Sequence, residues 1–92
     1  MKFEWDDNKE QKNIAKHGID FGTAILVFGD DNRIEMYDAK HSLEEDRYIT
    51  IGEINGYVMV LYVVYTERND AIRIISARCA TQREKEAYYD NY

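Results

Sequence analysis

The 92-residue chain is predicted to fold as an α+β domain, with helices on an antiparallel sheet in the order βααββββα. Three observations predict this. Apolar residues recur at helical spacing up to Phe28. Strand-like segments follow one another from Arg33 to Arg78. A last helical pattern begins at Thr81. A chain of this length reads as one domain over residues 1–92, with roughly two thirds of its unfolded surface buried.

The elements follow in order. Phe3-Glu-Trp5 alternates and suits a short edge strand. Asp6 is an N-cap for a helix over Asp7 to His17, with acidic residues in the first turn and Lys16 and His17 in the last. Gly18 is the natural stop. Asp20 caps a second helix carrying Phe21, Ala24, Ile25 and Phe28, which ends at Gly29-Asp-Asp-Asn. Strands are expected over Arg33–Tyr37, Arg47–Ile54, Tyr57–Thr66 and Ala71–Arg78, with a polar loop from Asp38 to Asp46. Asn55-Gly56 signals a type I′ hairpin turn. The final helix spans Thr81 to Tyr92, with Arg83, Glu84 and Lys85 outward and Ala87 and Tyr88 inward.

The hairpin fixes a register. A two-residue turn sets Ile54 opposite Tyr57 and Arg47 opposite Val64. A four-residue loop at Glu67–Asp70 sets Val64 opposite Arg73. Arg47, Val64 and Arg73 then form one row, the arginines about 9–10 Å apart. A phosphate can bridge two guanidinium groups at that separation. Tyr62 shares the face. Arg78 has the opposite parity and turns away unless a bulge intervenes.

The net charge is −6, which argues against nonspecific nucleic-acid binding. The distribution is uneven. Residues 1–65 hold 7 Lys and Arg against 13 Asp and Glu, whereas residues 66–92 hold 5 of each. A nucleic-acid site must therefore be a local patch, and the acidic remainder suits either solvent or a basic partner. No long apolar run suggests a membrane span. Met1-Lys-Phe-Glu-Trp-Asp6 lacks the apolar core of a signal peptide. The single cysteine, Cys79, has no internal disulfide partner and fits a cytoplasmic location.

The arginine set is the strongest chemical signal, because guanidinium forks hold phosphate in a bidentate way. Arg47 and Arg73 stand above Arg68, which lies in a turn. Ion pairing with Glu67, Asp70 or Glu84 is the plainer reading for any one arginine. Lys9, Lys12, Asn13 and Lys16 share a helix face, either a basic stripe for RNA or a solvated surface. His17 is either a general acid or base or a C-terminal cap. His41, three residues after Asp38, is a base, a metal ligand or an exposed loop histidine. Tyr62 or Tyr65 can stack on a base, move a proton or pack in the core. No metal-ligand cluster, glycine-rich phosphate loop or nucleophile elbow appears, and no cofactor is expected.

Phe3-x-Trp-Asp6, Asn13-x-x-Lys-His-Gly18, Phe21, Ala24, Val27-Phe28, Glu45-x-Arg47, Gly52, Val64-Tyr-Thr-Glu-Arg68, Arg73-Ile-Ile-Ser-Ala-Arg78, Ala80 and Glu84 together resemble the BrnT toxins. The resemblance covers nearly the whole chain. It implies a RelE-like fold and a type II toxin–antitoxin system. It further implies RNA cleavage that stops translation, and neutralisation by a BrnA-like ribbon-helix-helix antitoxin through which operator DNA is bound. On that reading the protein is a metal-independent endoribonuclease. Arg47, Arg73, Tyr62, Tyr65, Arg78 and His17 are the catalytic candidates, and Lys9, Lys12, Lys16, Arg68 and Arg83 the RNA-binding ones. The competing expectation is a noncatalytic binding module that acts as co-repressor with a DNA-binding partner.

Overall fold

The computed structural model describes residues 1–54 and 59–91. Strand β1 (Lys2–Trp5) leads to helix α1 (Asp7–His17) and helix α2 (Phe21–Ala24), which continues as a 3₁₀ turn over Ile25–Gly29. Strand β2 (Ile34–Tyr37), a 3₁₀ turn (Ala39–His41), strands β3 (Tyr48–Ile54), β4 (Met59–Arg68) and β5 (Ala71–Cys79), and helix α3 (Gln82–Asp90) complete the chain. The α+β class and the element order are those predicted.

The caps have the chemistry the sequence suggests. The Asp6 side chain accepts from the Lys9 amide, and Gly18, at φ 73°, closes α1 by donating to Ile14. Asp20 accepts from the Thr23 amide. Thr81 and Glu84 form a reciprocal capping box at the start of α3. On α3, Tyr88 is fully buried as expected, but Ala87 is exposed.

The sheet order is β1-β5-β4-β3-β2. Two expectations need correction. First, β1 pairs with β5 in parallel, Lys2 to Ala71 through Trp5 to Ile74, so the sheet is mixed. The long chain between them, from α1 through β4, supplies the connection that a parallel pair requires. Second, the register differs by two residues at both hairpins. Ile54 pairs with Met59 rather than Tyr57; the Asn55-Gly56 turn itself lies outside the described residues. Asn69 and Asp70, at φ 53° and 64°, form the tight turn between β4 and β5, so Arg68 pairs with Ala71. Asn and Asp tolerate this left-handed conformation better than most residues. Because both shifts are even, β3, β4 and β5 up to Ile74 keep their expected faces.

The sheet buries both faces. Leu61, Val63, Tyr65, Ile74 and Ala77 pack under Phe21, Ala24, Val27 and Phe28. Ile49, Ile51 and Val60 pack on the other side with Ala80 and Tyr88. Gly52 lets the 3₁₀ turn approach: a Cβ there would lie 3.1 Å from Arg33 Cβ and 3.3 Å from Val27 Cβ.

Asp30 ties the two sides together. It accepts from the Tyr88 hydroxyl and from the Glu53 and Asn32 amides. Burial pushes its carboxyl up, but those bonds outweigh burial and hold it below its ordinary 3.8. A carboxyl lowered by folding contributes stability above its unfolded pKa and loses it as pH falls through the folded one. The stability gap between wild type and Asp30→Asn should therefore be widest near neutrality and narrow as pH falls below about 4. Urea denaturation across that range checks this. A constant gap would remove the role assigned to the carboxylate.

Candidate active site

The site begins with an irregularity in β5. Tyr65 pairs with Ile74, yet Val64 pairs with Ser76, leaving Ile75 as an extra residue. The bulge reverses the parity of everything beyond it. Tyr62 pairs with Arg78, and Thr66 with Arg73, so Arg73, Ser76 and Arg78 all share the face of Tyr62 and Val64. Continuing β3 back by one residue sets Arg47 opposite Thr66. The row is thus Arg47–Thr66–Arg73, with Thr66 where Val64 was expected. The Thr66 hydroxyl is buried and donates to the Asp46 carbonyl, which holds the segment before Arg47 against β4.

Two clefts meet at the bulge. One, of about 250 Å³, is lined by Asp38, His41, Arg47, Tyr62, Val64, Ile75 and Ser76. The other, of about 230 Å³, runs beside α1 and is lined by Lys9, Lys12, Asn13, Lys16, His17, Ile75 and Ser76. Residues predicted from separate signals, the helical lysines and Arg47 with Tyr62, therefore flank one pair of residues, Ile75 and Ser76.

The loop before β3 is braced. The Asp38 amide donates to the Arg47 carbonyl at 2.8 Å. Ser42 Oγ donates to the Asp38 carbonyl and accepts from the Arg47 amide. His41 Nδ1 lies 2.9 Å from Asp38 Oδ2 and 3.1 Å from Oδ1. Asp38, His41 and Arg47 are thereby held in one compact unit. The Asp38–His41 pair follows from the i, i+3 spacing at the 3₁₀ turn. Only its place beside Arg47 needed the fold.

Arg47 differs from its fellow arginines. Arg33 pairs with Glu35, Arg68 with Glu45, Arg73 with Glu4 and Arg78 with Glu84. Arg83 is exposed on α3. Arg47 is half-buried, makes no ion pair among the described residues, and keeps its Nε buried without a hydrogen-bond partner. A buried donor left unpaired costs free energy, and an anion entering the cleft relieves that cost. No such deficit is visible at Arg73, whose Nη1 sits 2.6 Å from Glu4.

Arg78 lies over the Tyr62 ring at 3.8 Å and grips Glu84 through both terminal nitrogens, at 2.7 and 2.9 Å. Its bond to Glu84 raises the Arg78 pKa and lowers that of Glu84. Burial raises the Tyr62 hydroxyl, with Arg78 opposing, so Tyr62 stays protonated at neutral pH. Tyr65 is on the opposite face, buried, stacked on Tyr48 and bonded to Glu35. Burial followed by that carboxylate raises its pKa strongly. The structure does not bring Tyr65 to Arg47. Arg68 stands at the far turn with Glu45. His17 lines the α1 cleft, away from Arg47.

Asn13 belongs to the fold rather than to the basic stripe. It is buried, donates to the Ala77 and Ile19 carbonyls at 2.8 Å each, and accepts from the Ala77 amide at 3.0 Å. Its carboxamide thus pairs with the β5 edge where β1 has ended. Among the described residues no group of three His, Cys, Asp or Glu side chains could hold a metal ion, and no helix is long and apolar enough to cross a membrane.

This small α+β protein thus sets an arginine that makes no ion pair among the described residues beside a histidine–carboxylate pair and a lysine-lined groove. The family model described as the ribonuclease toxin, BrnT, of type II toxin–antitoxin systems matches residues 5–84. The chain belongs to this family of ribonuclease toxins, whose type II systems pair each toxin with an antitoxin. No curated protein matches the chain.

Proposed function

We propose that the protein is an endoribonuclease that cuts RNA in the cytoplasm without a metal ion and so arrests translation. The observation that carries this reading is the half-buried Arg47 guanidinium, with no ion pair among the described residues and its Nε without a partner, in a cleft shared with Tyr62 and Ser76. RNA supplies its own nucleophile. The 2′-oxygen attacks the adjacent phosphorus, the P–O5′ bond breaks, and the products carry a 2′,3′-cyclic phosphate and a 5′-hydroxyl. Arg47 stabilises the charge that grows on the phosphoryl oxygens. Arg73 and Arg78 flank it on the same face. Tyr62, kept protonated, gives its proton to the departing 5′-oxygen. Lys9, Lys12 and Lys16 hold the neighbouring phosphates along the α1 cleft, with the backbone crossing at Ile75 and Ser76.

The antitoxin is proposed to be a small basic ribbon-helix-helix protein that brings the complex to operator DNA. The net charge of −6 complements such a partner. The test of the activity is digestion of a defined RNA by the purified chain in excess chelator. Cleavage with cyclic-phosphate ends is expected; a requirement for an added divalent cation would overturn the metal-free chemistry. The partner is tested by co-expression with the neighbouring reading frame and size-exclusion chromatography. Separate elution at micromolar concentration would refute it.

A further inference from the structure

We infer that His41 is the general base of this site and that Asp38 is its positioning residue. The inference rests on the ribonuclease reading above and assigns the group that takes the 2′-hydroxyl proton. Four observations point to it. His41 lines the cleft that holds Arg47, Tyr62 and Ser76. It also lines an adjoining cleft of about 260 Å³ with Lys40, Leu43, Glu44, Glu45 and Arg47, so it stands at the junction of two openings. Its Nδ1 faces both oxygens of Asp38, which is acceptor-only when ionised. The ring proton therefore sits on Nδ1, and Nε2 carries the lone pair. Finally, the Asp38–Arg47 and Ser42 backbone bonds fix this imidazole relative to the guanidinium that receives the phosphate.

Atoms balance in the step. Nε2 takes the 2′-hydroxyl proton as the O2′–P bond forms. Tyr62 loses its proton to O5′ as the P–O5′ bond breaks. Solvent then carries the proton from His41 back to Tyr62. The charged and titratable groups facing His41 are Asp38, Lys40, Glu44, Glu45, Arg47 and Tyr62. Asp38 holds the ring with Nε2 turned away from its own carboxylate and so fixes which nitrogen can accept a proton.

The experiment is single-turnover cleavage of an RNA oligonucleotide across pH 5 to 9 by wild type, His41→Ala, Asp38→Asn and Arg47→Ala. Binding is read in parallel by fluorescence anisotropy on an oligonucleotide with a 2′-deoxy residue at the cut site. The His41 side chain is 58% exposed, so its removal leaves the fold intact. Wild type should gain rate with pH through the histidine range and then level off. His41→Ala should lose about 10²–10⁴ in rate, lose that rising limb, bind the deoxy probe as wild type does, and recover activity with added imidazole. Asp38→Asn should slow cleavage while binding the deoxy probe as wild type does, and Asp38→Glu should recover part of the rate, a split that loss of mere loop structure would not produce. His41→Ala cutting at the wild-type rate while Arg47→Ala is inactive overturns this inference alone. Arg47→Ala cutting like wild type overturns the site itself.

Discussion

Arg47→Ala should cleave RNA about 10²–10³-fold more slowly than wild type, the usual cost of removing one charge-stabilising donor. The cause is specific to this arginine. The guanidinium is held in a cleft, has a buried Nε without a partner, and makes no ion pair among the described residues. Arg73→Ala should cost less, because Glu4 already neutralises much of that charge. Arg47→Lys should recover only part of the loss, since an ammonium lacks the planar fork. The fold should survive, because removing the side chain also removes an orphaned donor. Circular dichroism on each variant separates folding from chemistry. Growth arrest in the absence of antitoxin should follow the same order. A well-folded Arg47→Ala protein that cuts RNA at the wild-type rate would show that the cleft is not the active site.

Asn13→Ala should destabilise the protein by about 3 kcal/mol, since each buried polar group left unpaired costs about 1–3 kcal/mol. Three such groups are exposed to this fate, the Ala77 amide and the Ala77 and Ile19 carbonyls. Small domains have only about 5–15 kcal/mol in total, and a loss of this size should lower Tm by roughly 15 °C. Asn13→Asp should be no better, because a carboxylate can accept from the amide but cannot donate to either carbonyl. Urea and thermal unfolding measure the effect. A loss below about 1 kcal/mol would mean that water or a relaxed backbone replaces the carboxamide.

Much of the fold was legible in local chemistry. Asp6, Gly18, Asp20 and Thr81 mark helix ends through groups that act within four residues, so no distant information is needed. The register was not legible at the β4–β5 hairpin. Asn69-Asp70 carries the same turn preference as Asn55-Gly56 in weaker form, and it set the pairing there. The parallel seat of β1 depends on α1 packing against β5, a contact between distant segments. Within the site, Tyr62 and Tyr65 are three apart on one strand, and so on opposite faces by parity alone. Only one of them could ever have joined Arg47. Arg47's isolation could not be read beforehand. Arg73 finds Glu4 across sixty-nine positions, and nothing short of the folded chain shows that Arg47, among the described residues, is half-buried without an ion pair.

Ile75 has a consequence that no single side chain carries. It acts as a phase shift in β5: residues before it and after it are counted from different origins. The spacing from Arg73 to Arg78 is odd, and in an unbroken strand odd spacing separates faces. One inserted position converts it into agreement. The same chain with Ile75 drawn into the ladder opposite Val64 would keep its composition, charge and length. It would nevertheless turn Ala77 toward the cleft and drive Ser76 and Arg78 into the packing beneath Phe21 and Val27. The unpaired position in the strand, rather than the identity of any residue in it, decides whether the arginines share a face.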